Sequence, residues 1–162
     1  MREILFRGKR IDTGEWVYGV PLIGITSGVY MVWIESEAKR GRGELSLRGV
    51  VRQAEVIPET VGQYTGLDDK NGVEIFEGDI ANHKDYECFG KVVFSDDELA
   101  FAFLVVTGSN NKGPTTEFEW LYEYADGLEV IGNIHDNPEL MEVRDEPFNY
   151  CPNCGQKLDL ED

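Results

Sequence analysis

The sequence predicts a mainly β protein folded as a small twisted barrel, and three observations carry that prediction. β-branched and aromatic residues come in short runs such as Thr60-Val61-Gly62-Gln63-Tyr64-Thr65, which suit pleated, half-buried strands. Asp69-Lys70-Asn71-Gly72 follows with residues that tolerate positive φ and so close a hairpin. The chain returns through Val73, Ile75 and Ile80, with Glu77-Gly78-Asp79 between them; there Gly78 is free to take positive φ and Asp79 can accept hydrogen bonds from backbone amides.

Strands are expected at Ile4 to Arg7 and Trp16 to Val20, joined by the turn Asp12-Thr13-Gly14. Further strands are expected at Val29 to Ile34, Val50 to Ile57 and Val61 to Thr65, and then at Asp79 to Asn82 and Gly90 to Phe94. Ser95-Asp96-Asp97-Glu98 turns the chain into Ala100 to Thr107, and the last strand is Leu128 to Asn133. Between these, Ala38 to Gly49 reads as a mobile basic loop holding Lys39, Arg40, Arg42 and Arg48 among three glycines, and Gly108 to Thr115 as a flexible loop. Thr116 to Tyr124 is open to two readings, since Phe118, Leu121 and Tyr122 fit helical spacing while the aromatic content favours a strand. Pro138 opens a last helical turn with Glu139, Leu140 and Met141.

The chain of 162 residues is long enough to bury a sizeable core. No apolar run approaches the roughly 20 residues that span a bilayer, and Met1-Arg2-Glu3-Ile4 reads as the approach to a strand rather than a secretory signal. Three cysteines, Cys88, Cys151 and Cys154, do not make a secreted disulfide framework and point to a reducing compartment. The expected location is therefore cytoplasmic, with no membrane partner.

Charge is unevenly distributed. Residues 1–60 hold 9 Lys and Arg against 8 Asp and Glu, a net of +1, whereas residues 61–162 hold 6 against 23, a net of −17. Such asymmetry keeps the protein soluble, and it also suits head-to-tail association or a surface that mimics the phosphates of DNA. The same acidity opposes direct binding to free duplex DNA, and the basic loop lacks the interleaved aromatics on which bases stack.

One constellation resembles site chemistry: Tyr150-Cys151-Pro152-Asn153-Cys154-Gly155. Two thiolates separated by two residues, followed by a turn-forming glycine, make half of a structural zinc site, which needs four protein ligands. Cys151 and Cys154 are thus candidate zinc ligands. His83 and Cys88 complete the site within the chain, or two chains share one ion, or the knuckle is a metal-free relic. Cys88 also reads as a small core residue, and His135 as structural rather than ligating. A redox role for the pair is less favoured, because no long helix follows Cys151 to stabilise a thiolate.

Other chemistry fails on spacing. A calcium loop with its glycine at Gly72 would begin at Leu67 and end at Gly78, neither of which supplies an oxygen side chain. Glu77 and Asp79 flank a glycine turn and read as turn-formers rather than an acid–base pair. No phosphate loop, dinucleotide fingerprint or nucleophile elbow occurs, and two histidines leave little room for a triad. Enzymatic activity is not expected.

Val61 to Ile80 (VGQYTGLDDKNGVEIFEGDI) and Glu129 to Met141 (EVIGNIHDNPELM) resemble the YopX family of bacteriophages and prophages, and Arg2 to Gly19 is similar to its amino-terminal strand pair. The resemblance implies an all-β protein containing an SH3-type barrel, made in a bacterial host's cytoplasm, with no catalytic residues. The division it suggests is an amino-terminal β region over residues 1–60, an SH3-type barrel region over 61–143 packed with it as one unit, and a CxxC tail over 144–162 set off by Asp145-Glu146-Pro147. The function expected is an accessory role by binding, to copies of the chain or to a host protein. The alternative is a nucleic-acid-related module, either an acidic DNA mimic or a zinc-assisted binder.

Overall fold

The computed structural model describes residues 4–24, 28–41, 44–83, 88–110 and 113–141. The fold is mainly β, in two antiparallel sheets. The first five strands are β1 (Phe6–Lys9), β2 (Trp16–Ile23), β3 (Val29–Gly41), β4 (Glu44–Val56) and β5 (Gly62–Asp68). They are followed by β6 (Glu74–Phe76), β7 (Asp79–His83), β8 (Cys88–Ser95), β9 (Ala100–Asn110), β10 (Gly113–Trp120) and β11 (Leu128–Asn133). One sheet has the order β4-β3-β2-β1-β5-β6 and the other β10-β9-β8-β7-β11.

The glycine turns act as the sequence requires. Gly14, at φ +71°, closes β1 onto β2, and its amide donates to the Arg10 carbonyl over 3.0 Å. Gly72, at φ +79°, closes β5 onto β6. Gly78, at φ +84°, turns the chain out of the first sheet and into the second, because β6 ends at Phe76 and β7 begins at Asp79. This corner is why the strands divide into two open sheets in place of the expected barrel; among the described residues neither sheet closes on itself. The first sheet does curl: an isolated bridge pairs Arg10 with Val56, and Ile57 N–H donates to the Lys9 carbonyl over 2.9 Å. Met31 and Val56 are buried inside that curl, against the bare backbone of Gly8.

Two segments expected as loops are strand arms. Ala38–Gly41 and Glu44–Gly49 extend β3 and β4 in unbroken register from Val29↔Val56 to Gly41↔Glu44. Local charge and glycine content suggest a loop, but each antiparallel pair once formed positions the next. Gly108–Asn110 and Gly113–Thr115 likewise continue β9 and β10, with a register shift between Gly113 and Thr115 at Pro114, which has no amide to offer the ladder. Thr116 to Tyr124 satisfies both readings: β10 runs to Trp120, and Leu121–Tyr124 forms the helical turn α1. A 3₁₀ turn at Pro138–Met141 follows β11, as the proline suggests.

The main core gathers Ile75 of β6, Ala81, Val92, Phe103 and Val105 of the second sheet, and Leu121, Ala125 and Leu128, with Leu67 of β5 packed against it. Both sheets therefore contribute to one apolar interior. No helix among the described residues is long and apolar enough to cross a membrane.

Candidate functional site

The strands bring three distant segments together in a polar seam between the sheets. Arg7 on β1 lies between the rings of Trp16 and Phe76, with its Cζ 4.9 Å from each centroid. One terminal nitrogen is 2.5 Å from Asp79 Oδ1 on β7 and also donates to the Glu77 carbonyl over 3.3 Å. Asp79 is 1% exposed, and its other oxygen accepts the Phe76 amide over 2.8 Å. Burial raises the Asp79 carboxyl above the ordinary aspartate range, partly offset by the Arg7 charge. This is a sealed, paired carboxylate at a turn, in keeping with the reading of Glu77 and Asp79 as turn-formers.

Next to it, Asp136 is a hydrogen-bonding node. It accepts from the indole N–H of Trp16 over 2.7 Å and the Asn133 amide over 2.9 Å, and it pairs with the Lys9 ammonium. The Asn133 hydrogen bond and the Lys9 contact hold its carboxyl down at about 2. Asn133 Oδ1 in turn accepts the backbone amides of His135 and Asp136, which fixes the turn after β11. The His135 ring sits 6.1 Å from Trp16 and is held below the usual histidine range, first by burial and then by Arg7. Arg7 Nε is buried without a hydrogen-bond partner and Asp79 Oδ1 has only the Arg7 ion pair, but the other groups are engaged inside the protein, and the seam works as a clasp between β1–β2 and the segment after β11.

A second clasp was not legible in the sequence. Asp69 Oδ1 accepts the amides of Asn71 and Val73, and Oδ2 crosses to accept Val130 of β11 over 3.0 Å. Asp69 thus uses both oxygens on backbone amides; burial opposes ionisation, but these hydrogen bonds hold its carboxyl low.

His83 and Cys88 face one another as register partners in β7 and β8. The His83 ring is 4% exposed and meets Tyr124 edge-on at 5.4 Å. It fills the space above Gly127, where a Cβ would stand 2.1 Å from its Nε2. Cys151 and Cys154 lie outside the described residues. Among the described residues, no group of three or more His, Cys, Asp or Glu is placed to hold a metal. The face of the first sheet that carries Arg7 continues past the seam, where Tyr18 packs 5.6 Å from Phe76, into an exposed apolar outer face that the sequence does not announce. Tyr18, Val20 and Leu22 alternate along β2, and Val20 pairs with Val32 and Ile34 with Val51, so these residues share one face. Ile34 is 70% and Val51 68% exposed.

The strands thus make a two-sheet β protein whose sheets are clasped together and whose first sheet carries an exposed apolar face. Residues 5–142 match the family described as YopX protein, and the chain belongs to that family. The fold is also similar to the crystal structure of protein EF1440 from Enterococcus faecalis, at 28% identity and a TM-score of 0.51, covering 88% of this chain and all of that one. No curated protein matches the chain. Three segments within the matched residues meet at the clasps: Arg7, Lys9 and Trp16 come from the first, Asp69 and Asp79 from the second, and Val130, Asn133 and Asp136 from the third.

Proposed function

We propose that this protein is a phage- or prophage-encoded accessory protein that acts in the bacterial cytoplasm by binding rather than by catalysis, and that it binds copies of itself through the outer face of its first sheet. One observation carries this reading: Tyr18, Val20, Leu22, Ile34 and Val51 are all exposed on that face. Contiguous apolar surface of this kind mostly marks an interaction site. The SH3-type character of residues 61–143 and a zinc-binding tail at Cys151 and Cys154 belong to the same reading, as does a host protein in place of a second copy. Light scattering on the purified chain tests it, since self-association gives a multiple of the chain mass that falls to one when Ile34 and Val51 are both replaced by Asp. A lysate pull-down on a monomeric chain, with and without nuclease, separates a host protein from the alternative, nucleic-acid-related role. That second reading draws on Lys39, Arg40 and Arg48 in the two-stranded arm of β3 and β4.

A further inference from the structure

We propose that Asn71, in the turn that closes β5 onto β6, is a site of spontaneous deamidation, and that its isoaspartate product loosens the clasp between Asp69 and β11. This goes beyond the binding role and does not depend on it. Asn71-Gly72 is the one Asn-Gly step in the sequence. Both residues are exposed, and the Asn71 side chain makes no hydrogen bond among the described residues. A Cβ at Gly72 would meet nothing within 4 Å, so no neighbour crowds the step. The other asparagines whose side chains are described are placed differently. Asn82 lies inside β7 between β8 and β11. Asn133 gives its amide to Asp136 and its oxygen to two backbone amides. Asn137 precedes Pro138, which has no N–H to lose.

The reaction needs only water and base. The Gly72 amide nitrogen, deprotonated by hydroxide, attacks Asn71 Cγ and closes a five-membered imide, while the Cγ–Nδ2 bond breaks and releases ammonia, which takes its proton from water. Water then opens the imide at one of its two carbonyls. Opening at the side-chain carbonyl gives aspartate, and opening at the main-chain carbonyl gives isoaspartate. One water enters, one ammonia leaves, and nothing is oxidised. Glycine suits the step because it puts no β-carbon beside the attacking nitrogen.

The fold restrains the attack. Gly72 N–H donates to the Asp69 carbonyl over 2.9 Å, and Asp69 Oδ1 accepts the amides of Asn71 over 2.7 Å and Val73 over 2.9 Å. The nitrogen is released only when this exposed turn opens, so Asp69 guards Asn71. The product in turn undoes the guard. Isoaspartate lengthens the main chain by one atom between the two amides that Asp69 Oδ1 holds together. Asp69 Oδ2 is the acceptor for Val130 of β11 over 3.0 Å, so a carboxylate displaced at the turn is lost to the second sheet as well.

Mass spectrometry of the full chain, held for days in mildly alkaline buffer, tests this. A peptide spanning residue 71 is expected to exchange NH2 for OH and to separate into two isomers on chromatography. The change is expected to be slower in mildly acidic buffer and faster in urea. Asp69→Ala, kept below its melting temperature, is expected to convert about three- to tenfold faster than the wild type, the worth of one hydrogen bond holding the turn. In the isoaspartate fraction, hydrogen exchange at the Val130 amide is expected to quicken by about the same factor. Asn71→Gln, aged alongside, is expected to keep both its mass and its exchange rate. Residue 71 unchanged in the folded chain while the urea-unfolded chain converts would overturn the site, and Asp69→Ala converting no faster would overturn the guard. Isoaspartate at residue 71 with Val130 exchange as slow as before would overturn the effect on the clasp.

Discussion

The indole N–H of Trp16 donates to the Asp136 carboxylate over 2.7 Å, although the two residues are 120 positions apart. That bond, with Lys9 on the same carboxylate, ties the first hairpin to the segment that follows the last strand. The acid side of the stability profile follows from it. Asp136 is held at about 2 in the folded protein, below its ordinary 3.8. A lowered carboxyl contributes stability that is complete above the unfolded value and lost as pH falls through the folded one. Melting temperature should therefore fall more steeply between about pH 4 and pH 2 in the wild type than in Asp136→Asn. At neutral pH the variant should be destabilised by about 1 kcal/mol, since the site is partly open to water.

Arg7 and Asp79 make the opposite case, a pair closed off from solvent. Arg7→Met leaves Asp79 buried without its counter-charge, which should cost about 3–5 kcal/mol in urea unfolding. Adding Asp79→Asn should recover part of that loss. The pH dependence has a definite sign: with Arg7 gone, the Asp79 carboxyl rises further, and stability falls as pH rises through its folded value. Losses in Arg7→Met and in Asp79→Asn that simply add in the double variant would show that the pair is not coupled.

Gly78 is the corner at which the chain changes sheets. Its amide donates to Val92 and its carbonyl accepts from Ile134, both over 2.9 Å, at φ +84°. Gly78→Val should destabilise by about 1–3 kcal/mol through backbone strain, because a Cβ there would meet Ile134 only at ordinary contact distance. An unchanged melting temperature would remove the corner's role in dividing the sheets.

The features legible in the sequence were local ones. The turns at Gly14, Gly72 and Gly78 and the 3₁₀ turn at Pro138 each depend on a conformation that a few neighbouring residues dictate. Ala38–Gly41, Glu44–Gly49, Gly108–Asn110 and Gly113–Thr115 have the composition of loops, while the ladder register extending from Val29 and Ala100 decides their conformation. The clasps join residues tens of positions apart, and nothing near Arg7 or Asp69 in the sequence announces Asp79 or Val130.

Zinc at Cys151 and Cys154 is proposed to be shared between two chains rather than completed by His83 and Cys88. His83 is packed against Tyr124 and Gly127, so recruiting it as a ligand would mean breaking core contacts. Metal analysis should accordingly find about half a zinc per chain, two chains each giving two thiolates, and His83→Gln should leave that content unchanged. Cys151→Ser should abolish it while the two sheets keep their melting temperature. Zinc-free protein with both thiols freely titratable would dismiss the site.

Self-association through the outer face of the first sheet is tested most directly by the mass of the chain in solution, by light scattering over a range of concentrations. The wild type should give a multiple of the chain mass, and Ile34→Asp with Val51→Asp should give a single chain that melts as cooperatively as the wild type. A wild type that remains one chain at every concentration, or a double variant that keeps the wild-type mass, would contradict it.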